Sequence, residues 1–129
     1  MFDAQTIQMQ GTTATEQYSP WFPRGGDYGL FTLEVTAVGG GGTPTLTVEM
    51  YHKNSSETGD GALAAGNMSF ARTTTGRTTV DFANAAGSSP AFGGFEELVR
   101  YKFRISGGAS SVTTWATFRM LAPIWYDKV

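Results

Sequence analysis

The sequence predicts an all-β chain, an antiparallel β-sandwich or jelly roll of about seven or eight strands. Three observations carry this. Apolar residues recur at every second position in several runs, which is the period of a half-buried strand, while helical periodicity is nearly absent. The runs are separated by Gly-rich breakers. The composition, with 17 Gly and 18 Thr in 129 residues, suits strands and turns better than helices.

Thr6 to Gln10 is a short strand candidate. Tyr18-Ser19-Pro20-Trp21-Phe22-Pro23 reads as a stiff extended segment, because each proline lacks an N–H and biases its predecessor toward extended geometry. It is excluded as a central strand. From Leu30 to Val38, Phe31, Leu33, Val35 and Ala37 share one face, and Thr32, Glu34 and Thr36 the other. Gly39 to Pro44 then reads as a hairpin loop leading into Thr45 to Lys53, where Leu46, Val48 and Met50 alternate with Thr45, Thr47, Glu49 and Tyr51. Asn54 to Gly66 is irregular, with room for a single helical turn at Ala62 to Ala65. Short strands are expected at Asn67 to Ala71 and Thr78 to Ala83, followed by a Gly/Ser/Ala-rich loop over 84–94. In Leu98 to Ser106, Val99, Tyr101, Phe103 and Ile105 alternate with Arg100, Lys102 and Arg104. Gly107 to Ser110 joins that run to Val112–Leu121. The chain reads as one domain over 1–129, a strand-rich body flanked by extended aromatic arms at 17–27 and 121–129.

Composition narrows the chemistry. The chain has no Cys and a single His, which sets aside zinc fingers, iron–sulfur clusters and thiol catalysis. Nine Lys and Arg against eleven Asp and Glu leave a formal charge of −2, so no overall attraction to nucleic acid or anionic membrane is expected. No apolar run approaches the length of a spanning helix. The first residues carry neither a basic nor an apolar stretch, so no secretory signal is read there.

Four clusters are candidate sites. If the 39–44 loop closes a symmetric hairpin, Glu34 falls beside Glu49, at a spacing used by retaining glycosidases. The expected reading is ordinary: solvent-face carboxylates neutralised by Arg100, Lys102 or Arg104. Glu57 and Asp60, in a loop with two glycines, resemble part of a calcium loop but lack its spacing, and are read as a solvated turn. His52 stands at a strand end with no nucleophile motif near it, and is read as a surface histidine. The aromatics near the two ends, in Tyr18–Pro23 and Pro123–Tyr126, either cap the sandwich or dock on a partner, since Trp and Tyr anchor protein interfaces.

A Thr/Gly-rich β body, an expected lack of an export signal and extended aromatic arms occur together here. In architecture and composition the chain resembles the small β-sandwich decoration or cement proteins of tailed-phage heads. The likeness covers 28–121 and the segments Gln17–Arg24 and Leu121–Tyr126. It implies a non-enzymatic virion protein, made in the host cytoplasm, that binds major capsid subunits at the capsid surface, often as a trimer, without cofactor, metal, nucleic acid or membrane. The expected partner-binding residues are Tyr18, Trp21, Phe22, Arg24, Phe92, Phe95, Trp125 and Tyr126. The rival reading is a carbohydrate-binding module of a surface or spike protein, with Trp and Tyr in a shallow groove, Trp21 or Trp115 as the residues on which glycan binding would depend, and calcium at Glu57 and Asp60.

Overall fold

The computed structural model describes residues 3–26, 28–63, 69–81 and 96–126. These form two antiparallel sheets packed face to face. The segments are β1 (Gln5–Gln10), β2 (Thr15–Tyr18), β3 (Phe22–Pro23), β4 (Tyr28–Gly40), β5 (Thr45–Lys53), β6 (Ala62–Leu63), β7 (Ser69–Arg72), β8 (Gly76–Asp81), β9 (Leu98–Ser106), β10 (Thr113–Met120) and β11 (Ile124–Tyr126). In the first sheet β10 lies between β1 and β4, β11 continues the β10 lane, and β8 lines the far edge of β4. In the second, β9 lies between β2 and β5; β3 continues the β2 lane, and β6 and β7 share the outer edge of β5. The eleven segments therefore fill eight lanes. Counted along the chain, the lanes run one-eight-three-six in one sheet and two-seven-four-five in the other. That is the order of a jelly roll.

This order corrects the reading of the glycine loops as hairpins. β4 and β5 lie in different sheets, and so do β9 and β10. Gly41–Pro44 and Gly107–Val112 are corners that carry the chain from one sheet to the other. In sequence the two cases look alike, because each is a Gly-rich break between alternating runs. The corners pack on one another. The Thr43 N–H donates to the Gly107 carbonyl at 2.8 Å. Gly42 and Gly107 both have left-handed backbone, at φ +77° and +82°. A Cβ on Gly107 would stand 2.1 Å from the Thr43 carbonyl oxygen.

Alternation places the core correctly. Ile7 and Met9 of β1, Phe31, Leu33 and Val35 of β4, Leu46, Val48 and Met50 of β5, Val99, Tyr101, Phe103 and Ile105 of β9, and Ala116, Phe118 and Met120 of β10 are all buried. One detail differs. The β4–β10 register shifts between Thr117 and Phe118, leaving Thr36 as a bulge. Beyond it the parity of β4 reverses, so Val38 rather than Ala37 packs against the core.

Aromatic rings stitch the sheets together. Phe103 meets Phe118 across the interior at 4.8 Å, and Tyr101 meets Phe31 edge-on at 6.0 Å. The Tyr101 hydroxyl is buried without a hydrogen-bond partner among the described residues, and burial pushes its ionisation well above the ordinary range. Leaving a buried hydroxyl unmatched costs about 1 kcal/mol or more. Tyr101→Phe is therefore expected to raise stability by about 1 kcal/mol, measured by urea unfolding.

The segments read as free arms are largely built into the sheets. Gln17 and Tyr18 pair with Phe103 and Lys102, and Phe22 and Pro23 pair with Val99 and Leu98. Ile124 to Tyr126 pair with Leu30 to Tyr28. An extended chain beside a sheet edge satisfies the unpaired N–H and C=O groups there, which is why these segments dock. Ser19 bridges the proline interruption: its N–H donates to the Tyr101 carbonyl and its hydroxyl accepts the Tyr101 N–H, each at 2.9 Å. Ala62 and Leu63, read as the start of a helical turn, form strand β6 instead, paired with His52 and Tyr51.

Candidate functional site

The solvent face of the second sheet gathers the residues of interest. In β9 the parity that buries Val99, Tyr101 and Phe103 turns Arg100, Lys102 and Arg104 outward. Register then sets Tyr51 opposite Arg100 and Glu49 opposite Lys102 on the β5 side, and Tyr18 opposite Lys102 on the β2 side. Trp21 lies between β2 and β3, after the strand is interrupted at Ser19 and Pro20.

The geometry is a cation–aromatic ladder. The Arg100 guanidinium lies 4.0 Å from the Tyr18 ring centroid and 4.5 Å from that of Trp21. It also donates to the carboxylate and the carbonyl oxygen of Asp60, both at 3.2 Å. Lys53 stands 4.7 Å from Trp21. The Lys102 ammonium lies 5.7 Å from Tyr51 and 6.0 Å from Tyr18, and it forms an ion pair with Glu16. That hydrogen bond holds the Glu16 carboxyl below its ordinary range and raises the Lys102 ammonium above its own. Tyr18 and Tyr51 meet edge-on at 6.0 Å, and Tyr18 is 45% exposed. Each cation–ring contact is worth roughly 0.5–2 kcal/mol, rising with desolvation. The Arg100 side chain is only 11% exposed, so it is a fixed rung, while Tyr18 is the accessible one.

The predicted site residues separate into groups. Tyr18 and Trp21 belong to this ladder. Phe22 packs against Tyr101 at 5.5 Å, and Trp125 meets Phe31 edge-on at 5.4 Å; both lie against the core. Arg24 donates its backbone N–H to the Glu97 carbonyl at 3.0 Å. Tyr126 ends β11 opposite Tyr28. Phe92 and Phe95, with the 84–94 loop, lie outside the described residues. Tyr51, Lys53, Arg100 and Lys102 were not singled out as site residues. Their outward parity was readable, but the neighbours that make them a cluster come from strands distant in sequence.

The carboxylate candidates dissolve as a pair. Glu34 and Glu49 lie in different sheets, since β4 and β5 do not pair. Glu34 instead accepts from Arg77 at 2.6 Å and from Arg119 at 2.8 Å, not from the β9 cations that were expected to neutralise it. These two hydrogen bonds, Arg77 first, hold its carboxyl below the ordinary value of 4.5. Such a group stabilises the fold fully above its unfolded value and ceases to do so as pH falls through the lowered folded value. Glu34→Gln is expected to lower the melting temperature at pH 7, and the gap to the parent should close as pH drops below 4.5. Parallel thermal melts across pH check this.

At one end of the sandwich an open depression of about 600 Å³ is lined by His52, Glu57, Asp60 and Glu96 among others. Its polar groups are largely engaged. The His52 Nδ1 accepts the Glu96 N–H at 3.2 Å, the Glu57 carboxylate accepts the Asn54 N–H at 2.9 Å, and Asp60 holds Arg100. Glu97 ties the same loop down by accepting from the Ser55 hydroxyl at 3.1 Å. The loop read as a solvated turn is thus a brace for the ladder. Comparisons with protein-family models, curated proteins and solved structures return no match to this chain.

Proposed function

We propose that the chain is a non-enzymatic structural protein, a capsid decoration or cement protein, that docks on major capsid subunits through the solvent face of its β2-β9-β5 sheet. The observation that carries this reading is the ladder of Tyr18, Trp21, Tyr51 and Arg100 on one sheet face. Trp, Tyr and Arg are the residue types that dominate binding energy at protein interfaces. Here they are held in place by stacking and by Asp60, so little side-chain freedom is lost on docking. A lattice of identical subunits repeats each modest contact, and oligomers of the docked protein, trimers in the resemblance, engage several sites at once. Such a protein acts at the capsid surface and adds stability without chemistry.

The test is co-sedimentation with tailed-phage heads from the source of the chain. The parent protein is expected to bind, and the double variant Tyr18→Ala/Tyr51→Ala to bind roughly tenfold more weakly or less, with its circular dichroism unchanged. Equal binding by the folded double variant, or no binding by the parent, contradicts the proposal.

A further inference from the structure

The opposite face of the sandwich carries a second arrangement that the docking reading does not use. Trp115 points outward from β10, between Gln8 of β1 and Gly39 of β4, its partners in register. Its indole leans across β4 and occupies the space that a Cβ on Gly39 would fill, with Cζ2 only 2.5 Å from that position. The ring is thus pressed on the backbone, and the residue stays partly exposed. Around it stand Thr6, Gln8, Gln10, Thr113 and Thr117, none of which carries a formal charge. Among the described residues, Glu34 with Arg77 and Arg119 form an ion-paired cluster of net charge +1 toward the far end of the strands, away from the ring.

Two features make this more than a bare polar face. Thr6 and Thr117 hydrogen-bond at 2.8 Å, and Gln10 donates to the Thr113 hydroxyl at 2.7 Å, so the rim is fixed in advance. The Gln8 amide and the Trp115 indole N–H make no hydrogen bond to the described residues. They leave three N–H donors and a carbonyl acceptor beside the ring, on adjacent strands.

We infer that this face is a binding site for a neutral glycan, with a pyranose ring stacked on Trp115 and its hydroxyls bonded by Gln8. A pyranose has an apolar C–H face and a rim of hydroxyls, each both donor and acceptor. An aromatic platform covers the first, and an amide matches a pair of the second. An uncharged surround suits such a ligand, because no ion is desolvated without a partner when it binds. The ladder on the other sheet, with its fixed Arg and Lys groups, lacks that neutrality. The two faces point in opposite directions, so a molecule docked by the ladder presents Trp115 outward. A single platform with few hydrogen bonds gives weak binding, on the order of 1 mM, which repetition on a particle strengthens.

The test uses the isolated protein, so its outcome is separate from that of capsid docking. The side chains of Trp21, Trp115 and Trp125 give three indole N–H signals in a 15N-labelled sample. Cellohexaose, maltohexaose and chitohexaose are titrated in turn. At least one is expected to shift the Trp115 signal saturably while leaving that of Trp125 in place. Trp115→Ala should weaken binding roughly tenfold or more. Gln8→Ala, at an exposed position of an edge strand, should weaken it about threefold with the fold intact. Tyr18→Ala/Tyr51→Ala should bind as the parent does. No saturable shift of the Trp115 signal with any of the three overturns the inference. So does unchanged binding by Gln8→Ala together with Trp115→Ala, or a loss of self-association rather than of sugar binding in the Trp115 variant.

Discussion

Gly107→Ala is expected to lower the stability of the isolated domain by about 4 kcal/mol, a drop of roughly 15 °C in melting temperature. Two costs combine. A left-handed φ of +82° disfavours any residue with a Cβ by about 1–2 kcal/mol. The new methyl would also stand 2.1 Å from the Thr43 carbonyl oxygen, which is backbone and has no rotamer by which to move away. Relief requires the two corners to separate, and that breaks the 2.8 Å hydrogen bond from the Thr43 N–H to the Gly107 carbonyl. Gly59→Ala is the control. Its φ is +99°, but nothing stands within 4 Å of the added methyl, so only the backbone cost of about 1 kcal/mol remains. Equal melting temperatures for the two variants would show that the corners do not pack as described.

Trp125→Ala is expected to cost about 3 kcal/mol, toward the lower end for a large aromatic because the ring is partly exposed. The ring closes one end of the interior, edge-on to Phe31 at 5.4 Å and against the backbone of Gly25 and Gly29. Its removal opens a space that the glycines have no side chains to fill. Trp21→Ala loses contacts with Arg100 and Lys53 on the outside of the sheet instead, and about 1 kcal/mol is expected there. Urea unfolding of both variants distinguishes them. Similar, small losses in both would place Trp125 outside the core and return it to the set of free docking aromatics.

That division marks the limit of what the sequence discloses. Period-2 runs are legible because burial on one face forces them, and Leu46, Val48 and Met50 or Val99, Tyr101 and Phe103 needed no partner to be assigned inward. The sheet that each strand joins is not legible in the same way. A hairpin would make Glu34 and Glu49 neighbours, but a Gly-rich break serves a hairpin and a jelly-roll corner equally well. The bulge at Thr36 is invisible for a related reason: it depends on the register against Thr117, about 80 residues away. The candidate site follows the same rule. Tyr18 and Trp21 stand out in sequence within the proline-containing segment 18–23, whereas Tyr51 and Lys102 gain significance only because β9 brings them beside Tyr18. Trp115 sat in an ordinary alternating run, and its platform depends on the absence of a side chain at Gly39 in a neighbouring strand.

The docking role of the ladder is tested most directly by hydroxyl-radical footprinting of the protein free and bound to phage heads. Aromatic side chains are labelled according to their exposure, so each face reports separately. If the β2-β9-β5 sheet is the docking surface, Tyr18 and Tyr51 lose labelling several-fold on the particle while Trp115 keeps its own. Protection of Trp115 with Tyr18 unchanged would place the interface on the opposite sheet and contradict the assignment.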